Sequence, residues 1–254
     1  MEQSYLVKPI GIIESCYPDK FGTPRQPGLV QESCAFLRLL PEVQPELALD
    51  GLAGFSHLWL IFWFHGNHSK KFHAKVHPPR LQGEARGVFA TRSPHRPNPV
   101  GLSLVEIQSV EKDGIWIRGV DVISGTPVLD IKPYLPVIEA RPLAKAGWTT
   151  QVPENSIQVQ WSPLATEQLG QWQISLQNAG TERGELRTLI EQTLVLDPRP
   201  QVYKGYETQD ESQSPYRSEH AVRFWNGDVH FRFLTPSSIE VIRIAFGDAE
   251  VTSV

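Results

Sequence analysis

Glycine-rich nucleotide fingerprints are missing from this chain. It has no G-x-G-x-x-G, no P-loop and no G-x-S-x-G nucleophile elbow. Their absence argues against a Rossmann-type cofactor site. Cysteine is scarce: Cys16 and Cys34 are the only two, and they make no zinc, redox or disulfide pattern. A reducing cytoplasm suits such usage, so cytoplasmic localisation is expected. Long apolar runs are also missing. The longest, Leu58 to Phe64, falls far short of the roughly 20 residues that span a bilayer. Met1 is followed by polar residues and not by a basic then apolar leader, so no membrane association is expected. Net basicity is absent as well. The formal charge of −4 does not by itself mark a nucleic-acid binder. Finally, no strongly periodic helix appears before residue 150, so a parallel βαβ fold, which needs crossover helices, is disfavoured.

What the chain does have is strand-like material separated by irregular loops. Tyr5 to Ile13, Leu29 to Leu40, His57 to His65, Gly87 to Ala90, Val100 to Val105, Ile115 to Val122 and Val128 to Tyr134 all read as strands. Gly11 marks a bulge or a close approach, and Pro45 to Gly51 a short helix with Gly51 beyond its end. His57 to His65 is apolar on both parities and is expected to be the central strand, covered on both faces. Ser124 to Pro127 is a turn. The expected fold is mainly β: a barrel in residues 1–143, a linker at 144–156 and a smaller α+β domain at 157–254. In that second domain Ser162-Pro163 supplies an N-cap followed by proline at the first helical position. Leu186, Leu189, Ile190 and Leu194 outline an amphipathic helix, and Asn226-Gly227 predicts a type I′ hairpin turn. That turn would pair Phe224 with Val229 and put Val222, Phe224, Val229, Phe231 and Phe233 on one face.

Chemistry-bearing residues gather in three polar clusters: Pro24-Arg25-Gln26, Arg92 to Asn98, and Asp130 to Tyr134. At strand ends they would converge on one barrel mouth, a common ligand site. The middle cluster is stiff. Pro94, Pro97 and Pro99 fix their own φ and push Ser93, Arg96 and Asn98 toward extended conformations. Its two guanidinium groups suit a carboxylate or another anion; a solvated proline-rich turn fits the composition equally. Between His68 and Val100, seven cations (Lys70, Lys71, Lys75, Arg80, Arg86, Arg92, Arg96) face Glu84 alone, a basic segment able to attract a polyanion. Asn67 to Arg86 reads as an irregular flap. Six of the eight histidines lie between residues 57 and 95. Their spacing matches no zinc pattern, so no metal is expected, although a histidine metal site stays open on composition, as does a non-catalytic anion-binding module.

Four ordered motifs then add a resemblance. They are Phe21-Gly22-Thr23-Pro24-Arg25-Gln26-Pro27-Gly28, Gly54-Phe55-Ser56-His57-Leu58-Trp59, Gly87 to Ser103, and Gly125 to Pro136. Together they look like the TrmO (YaeB- or TsaA-like) family, and Asp197-Pro198-Arg199-Pro200 with Tyr203-Lys204-Gly205 resembles the family's C-terminal signature. The resemblance implies a single-sheet β-barrel methyltransferase, unlike the Rossmann type. It implies S-adenosylmethionine as cofactor and, as reaction, N6-methylation of threonylcarbamoyladenosine at position 37 of threonine tRNA by a homodimer. Carried over by motif, the cofactor contacts are Pro24, Arg25, Gln26, His65, Gly66, Arg92, Leu102, Leu129, Asp130, Ile131 and Lys132. Gly66 stands where relatives usually carry a polar residue. Asp130 is the first candidate for accepting the N6 proton, with Tyr134 second. Arg92, Arg96, Lys132 and Arg199 are candidates for clamping the threonyl carboxylate. Lys70, Lys71, Arg80 and Arg86 would grip the tRNA, with Arg96 pointing to it, and Asp197, Arg199, Tyr203 and Lys204 would close over the base.

Overall fold

The computed structural model describes residues 5–67, 72–78, 81, 83–150, 157–180, 184–199 and 219–247. The chain forms two compact units that are not consecutive stretches of sequence. One comprises Met1–Glu14, Ala35–Val120 and Ser124–Pro153; the other comprises Ser15–Cys34, Asp121–Ile123 and Glu154–Val254.

The first unit is built on eight strands: β1 (Gly11–Ser15), β2 (Cys34–Leu39), β3 (His57–Trp63), β4 (Lys75–Val76), β5 (Arg86–Gly87), β6 (Val100–Val110), β7 (Gly114–Arg118) and β8 (Pro127–Pro133). Six close into a barrel in the order β1-β2-β7-β6-β3-β8, while β4 and β5 pair separately. β3 bonds antiparallel to both β6 and β8, as its apolar character predicts. Its faces are nevertheless unequal. Leu58, Leu60 and Phe62 are buried inside the barrel, whereas Trp59 and Ile61 are half-buried and Trp63 is exposed on the outside. The expected cover on both faces is incomplete. Gly101 has no side chain because the Phe62 ring fills the space where its Cβ would stand. Gly11 allows a close approach to the carbonyl of Arg38 in the same way.

Two other expectations shift. The first strand begins at Gly11 and not at Tyr5. Only Gly87 of the run Gly87 to Ala90 is strand; Val88–Ala90 makes a 3-10 turn. The turn closes because Thr91 donates both its backbone N–H (3.1 Å) and its hydroxyl (2.8 Å) to the Val88 carbonyl. The short helix α1 covers Pro45–Ala48, and Gly51 follows it with φ 80°. α2 (Pro136–Glu139) follows β8 and is tied back to β3, where Trp59 Nε1 donates to Glu139 Oε1 at 3.0 Å.

The second unit holds a four-stranded sheet of β9 (Gln158–Trp161), β10 (His220–Phe224), β11 (Gly227–Thr235) and β12 (Ser238–Phe246) in the order β10-β11-β12-β9. Helix α3 (Pro163–Asn178) starts where Ser162 Oγ accepts from the Ala165 N–H at 3.0 Å, and it buries Ala165, Leu169, Trp172 and Leu176. Helix α4 (Leu186–Val195) buries Leu186, Leu189, Ile190 and Leu194. The Ser15–Cys34 loop is held by these C-terminal elements. Tyr17 is buried with its ring 5.7 Å from that of Phe224, Cys16 O accepts from the Trp225 N–H at 2.9 Å, and Glu32 Oε2 accepts from the Glu185 N–H at 3.2 Å. The last contact sets a carboxylate at the start of α4, where the helix dipole favours it.

The hairpin register differs from expectation. Phe224 pairs with Gly227 and Val222 with Val229, so Trp225-Asn226 forms the turn, with Trp225 at φ 43°. Asn226 spends its side chain on tertiary bonds: its Oδ1 accepts from Trp172 Nε1 at 3.0 Å and its Nδ2 donates to Gly247 O at 2.8 Å. Gly227 is glycine because the Trp172 ring fills the Cβ position. The shared face survives, because a slip of two residues preserves parity.

Candidate active site on the outer face of the barrel

The register of three strands determines which candidate residues meet. Ile61 of β3 stands opposite Leu102 of β6 on one side and Asp130 of β8 on the other. In the next row, Trp59 stands between Leu104 and Lys132. Directly opposed residues point to the same face, and adjacent strands lie about 4.8 Å apart, so Leu102 and Asp130 sit about 10 Å from one another across Ile61. Since Leu60 and Phe62 point into the barrel, this row points out. Leu102 is 50% exposed.

A bulge makes that placement possible. Between Ile61 and Phe62 the register with β8 jumps from Asp130 to Val128, leaving Leu129 as the extra residue. Val128 is therefore fully buried inside, while Asp130, two residues on, projects outside. Asp130 Oδ2 lies 2.8 Å from Lys132 Nζ, and its Oδ1 accepts from the Ile131 N–H at 2.9 Å. Both side chains are about half exposed or more, at 47% and 63%. The apolar neighbours of Asp130 in sequence thus desolvate it only in part. Ile131 turns inward with Leu60.

Asp130 and Lys132, expected at a barrel mouth, stand on this outer face. The Arg92 to Asn98 loop enters β6 at the Trp63–Val100 row. That row is two residues, or about 7 Å, from the Asp130 row. Tyr134 lies the other way, four residues or about 13 Å beyond Asp130 along the chain. Its N–H donates to His57 O at 3.0 Å and its ring packs edge-on to Trp59 at 5.9 Å. His65 is exposed just past β3, and Gly125, at φ 79°, lies close to its Nε2. Gly66 follows it. Arg92 is exposed.

Several assigned cations have structural partners. Arg96 donates from Nη1 to Val88 O (3.2 Å) and Thr91 O (2.9 Å), bracing its own loop. Arg86 pairs with Glu84 at 2.7 Å. In the second unit, Arg199 is 7% exposed; its Nε is 2.9 Å from Asp197 Oδ1 and its guanidinium lies 3.5 Å from the Phe233 ring centroid. Pro24 of that unit is buried, Arg25 exposed, and Gln26 Nε2 donates to Arg25 O at 2.6 Å. Lys70, Lys71, Arg80, Tyr203 and Lys204 lie outside the described residues. Among the described residues, no three His, Cys, Asp or Glu side chains form a metal-holding group, and no helix is long and apolar enough to cross a membrane. Trp59 and Ile61 complete these outer rows, and sequence reasoning passed over them because β3 is apolar on both parities.

Two family models cover this architecture: the tRNA-methyltransferase O N-terminal domain over residues 12–140 and the TrmO C-terminal domain over residues 154–246. The chain belongs to the TrmO family. The tRNA (adenine(37)-N6)-methyltransferase of Escherichia coli is 41% identical over 210 residues, covering 81% of this chain and 86% of that protein. A Pseudomonas aeruginosa protein, RcsF, provisionally described as an S-adenosylmethionine-dependent methyltransferase, is 41% identical over 96% of this chain and 100% of its own. Among solved structures, a TrmO crystal structure superposes with a TM-score of 0.76 at 37% identity, covering 96% of this chain and all of that one. The TrmO barrel explains the missing glycine fingerprint: the family's cofactor chemistry does not run on a Rossmann fold.

Proposed function

We propose that this chain is an S-adenosylmethionine-dependent tRNA methyltransferase that methylates N6 of threonylcarbamoyladenosine at position 37 of threonine tRNA, in the cytoplasm. The observation that supports this reading is the outer-face row Leu102–Ile61–Asp130 with Lys132 beside it. The donor set fits the cofactor. Leu102 is a large exposed apolar surface for a nucleoside, and the Asp130–Lys132 pair offers an anion and a cation to an amino-acid zwitterion. The likeness of the family motifs supports Arg92, His65 and Gly66 as further contacts of the same ligand. When bound, S-adenosylmethionine supplies an electrophilic methyl group on a sulfonium.

The chain's own residues must orient the acceptor and remove its proton. N6 of this nucleoside is joined to a carbamoyl group, which delocalises its lone pair, so loss of the N6 proton makes it competent. Asp130 is the proposed acceptor, since a positioned carboxylate within hydrogen-bond reach typically contributes about 10²–10⁴-fold. Tyr134, about 13 Å farther along the chain, is the less favoured candidate. Alignment to about 3–3.5 Å supplies much of the remainder. Arg92 and Lys132, both exposed, are the proposed clamps for the threonyl carboxylate.

The same face carries the proposed dimer contact. Trp63 (39% exposed), Val137 (96%) and Ile138 (64%) leave an apolar surface, and a second copy covering it would also enclose the half-exposed Asp130. Mass spectrometry of position 37 nucleosides from cells lacking this protein tests the reaction. Loss of the N6-methyl form is expected, and unchanged methylation would sink it.

A further inference from the structure

We infer that Phe89 is a stacking platform for an unpaired base of the RNA substrate; the role rests on the methyltransferase reading above. Phe89 is 75% exposed on the Val88–Ala90 turn. A solvated turn needs neither such a ring nor the bracing this one receives. The Val88 side chain is buried, and its N–H donates to Ala74 O at 3.0 Å. Its carbonyl accepts from Thr91 N and Oγ1 and from Arg96 Nη1. Trp148 Nε1 reaches in from outside the loop to donate to Ala90 O at 2.8 Å. The Arg96 guanidinium lies 5.7 Å from the Phe89 ring centroid, so one face of the ring is backed by a fixed cation. The ring is thus held in place before any ligand arrives, which lowers the entropy cost of binding.

The surroundings select the occupant. Lys75 stands exposed opposite Gly87 in the two-strand ladder that feeds the turn. Arg92, His73 and His95 are exposed in the same segment, and the two histidine rings meet at 5.9 Å. Between Phe72 and Val100 the sequence holds one carboxylate, Glu84, which is paired with Arg86. An aromatic ring backed by a guanidinium, in a field of cations, is the arrangement that single-stranded RNA uses: bases stack, and phosphates are held by Lys and Arg. A second copy of this basic segment would be repelled by it.

The test compares Phe89→Leu, which keeps an apolar side chain but loses the ring, with Phe89→Trp. Base stacking of the usual strength predicts that the Leu variant raises KM for tRNA by about 5- to 150-fold. Cofactor affinity by calorimetry should stay unchanged, and the Trp variant should restore KM. Anisotropy with a fluorescent anticodon stem-loop RNA reads the same contact without methyl transfer. If wild-type protein binds that RNA in a Phe89-dependent way yet transfers no methyl group, the stacking role stands and the reaction falls. A Leu variant with wild-type KM and RNA affinity would overturn the inference. So would equal loss in the Leu and Trp variants, or a change of oligomeric state on sedimentation.

Discussion

Asp130→Asn separates chemistry from stability, because the structure makes opposite demands of the two. The carboxylate is 47% exposed and its partner Lys132 is 63% exposed. A solvated pair of this kind contributes about 0–1 kcal/mol. The amide keeps an oxygen that can accept from the Ile131 N–H, so the bulge keeps its local bond. Folding stability should therefore fall by less than about 1 kcal/mol, or a few degrees in Tm for a protein of this size. Turnover should fall far more. An amide cannot accept the N6 proton, and losing a positioned base costs about 10²–10⁴-fold, equivalent to about 2.7–5.4 kcal/mol of barrier. The assay is transfer of labelled methyl from S-adenosylmethionine to threonylcarbamoylated tRNA under single-turnover conditions, with urea unfolding and cofactor calorimetry in parallel. Turnover within about threefold of wild type, with the fold intact, would remove Asp130 as the base. A rate loss matched by an equal loss of cofactor affinity would make it a binding residue only.

Three further outcomes follow from the second unit. Gly227→Ala places a methyl in the Trp172 ring and should destabilise by about 1–3 kcal/mol; Gly170→Ala, mid-helix with open space around it, should stabilise by up to about 1 kcal/mol. Equal effects on urea midpoints would refute the steric reading. Arg199→Met takes the guanidinium away from the buried Asp197 carboxylate but leaves it the backbone N–H of residue 199; it should cost about 3–5 kcal/mol, while the pair change Asp197→Asn with Arg199→Met should cost clearly less. The hydrogen bond from Arg223 holds Asp228 below the ordinary carboxylate range, and that from Arg243 does the same for Glu219. Groups depressed in the native state bind fewer protons there, so their contribution is complete above about pH 5 and is lost as pH falls further. Urea unfolding from pH 5 to pH 2 should show Arg223→Gln flattening that acid limb, and an unchanged slope would exclude the pair.

Local signals carried much of this fold because local physics produced it. Ser162-Pro163 starts α3 by satisfying an orphan N–H, and the apolar spacing of Leu186, Leu189, Ile190 and Leu194 is the buried face of α4. What escaped was tertiary. β9 pairs in parallel with β12 from nearly eighty residues away, with Gln158 opposite Ser238, and nothing in four residues announces that partner. The hairpin failed for a related reason. Asn-Gly has the right intrinsic preference for a type I′ turn, but Asn226 is bonded to Trp172 and Gly247, and Gly227 makes room for an indole. Gly87 to Ala90 has strand composition, yet the carbonyl of Val88 is claimed three times within its own loop.

The candidate site raises a sharper case, because alternation alone does not say on which surface Asp130 stands. Period-two alternation places Val128 and Asp130 on one face, and a barrel reading then sends both toward the interior or its mouth. A barrel this small has no such room: side chains fill it, and here Leu58, Leu60, Phe62, Ile115, Ile117 and Val128 do so. The outer face is therefore where Asp130 is available to a ligand, and β8 reaches it by leaving the alternation. Leu129 supplies the extra residue that lets β8 bury Val128 and expose Asp130. On that face the acid stands in one row with Ile61 and Leu102, beside Trp59 and Lys132. An open outer face excludes water poorly, whereas charge-neutralising methyl transfer is favoured by a dry site. The exposed apolar side chains at Trp63, Val137 and Ile138 are the surface on which the second copy proposed above would sit, enclosing Asp130.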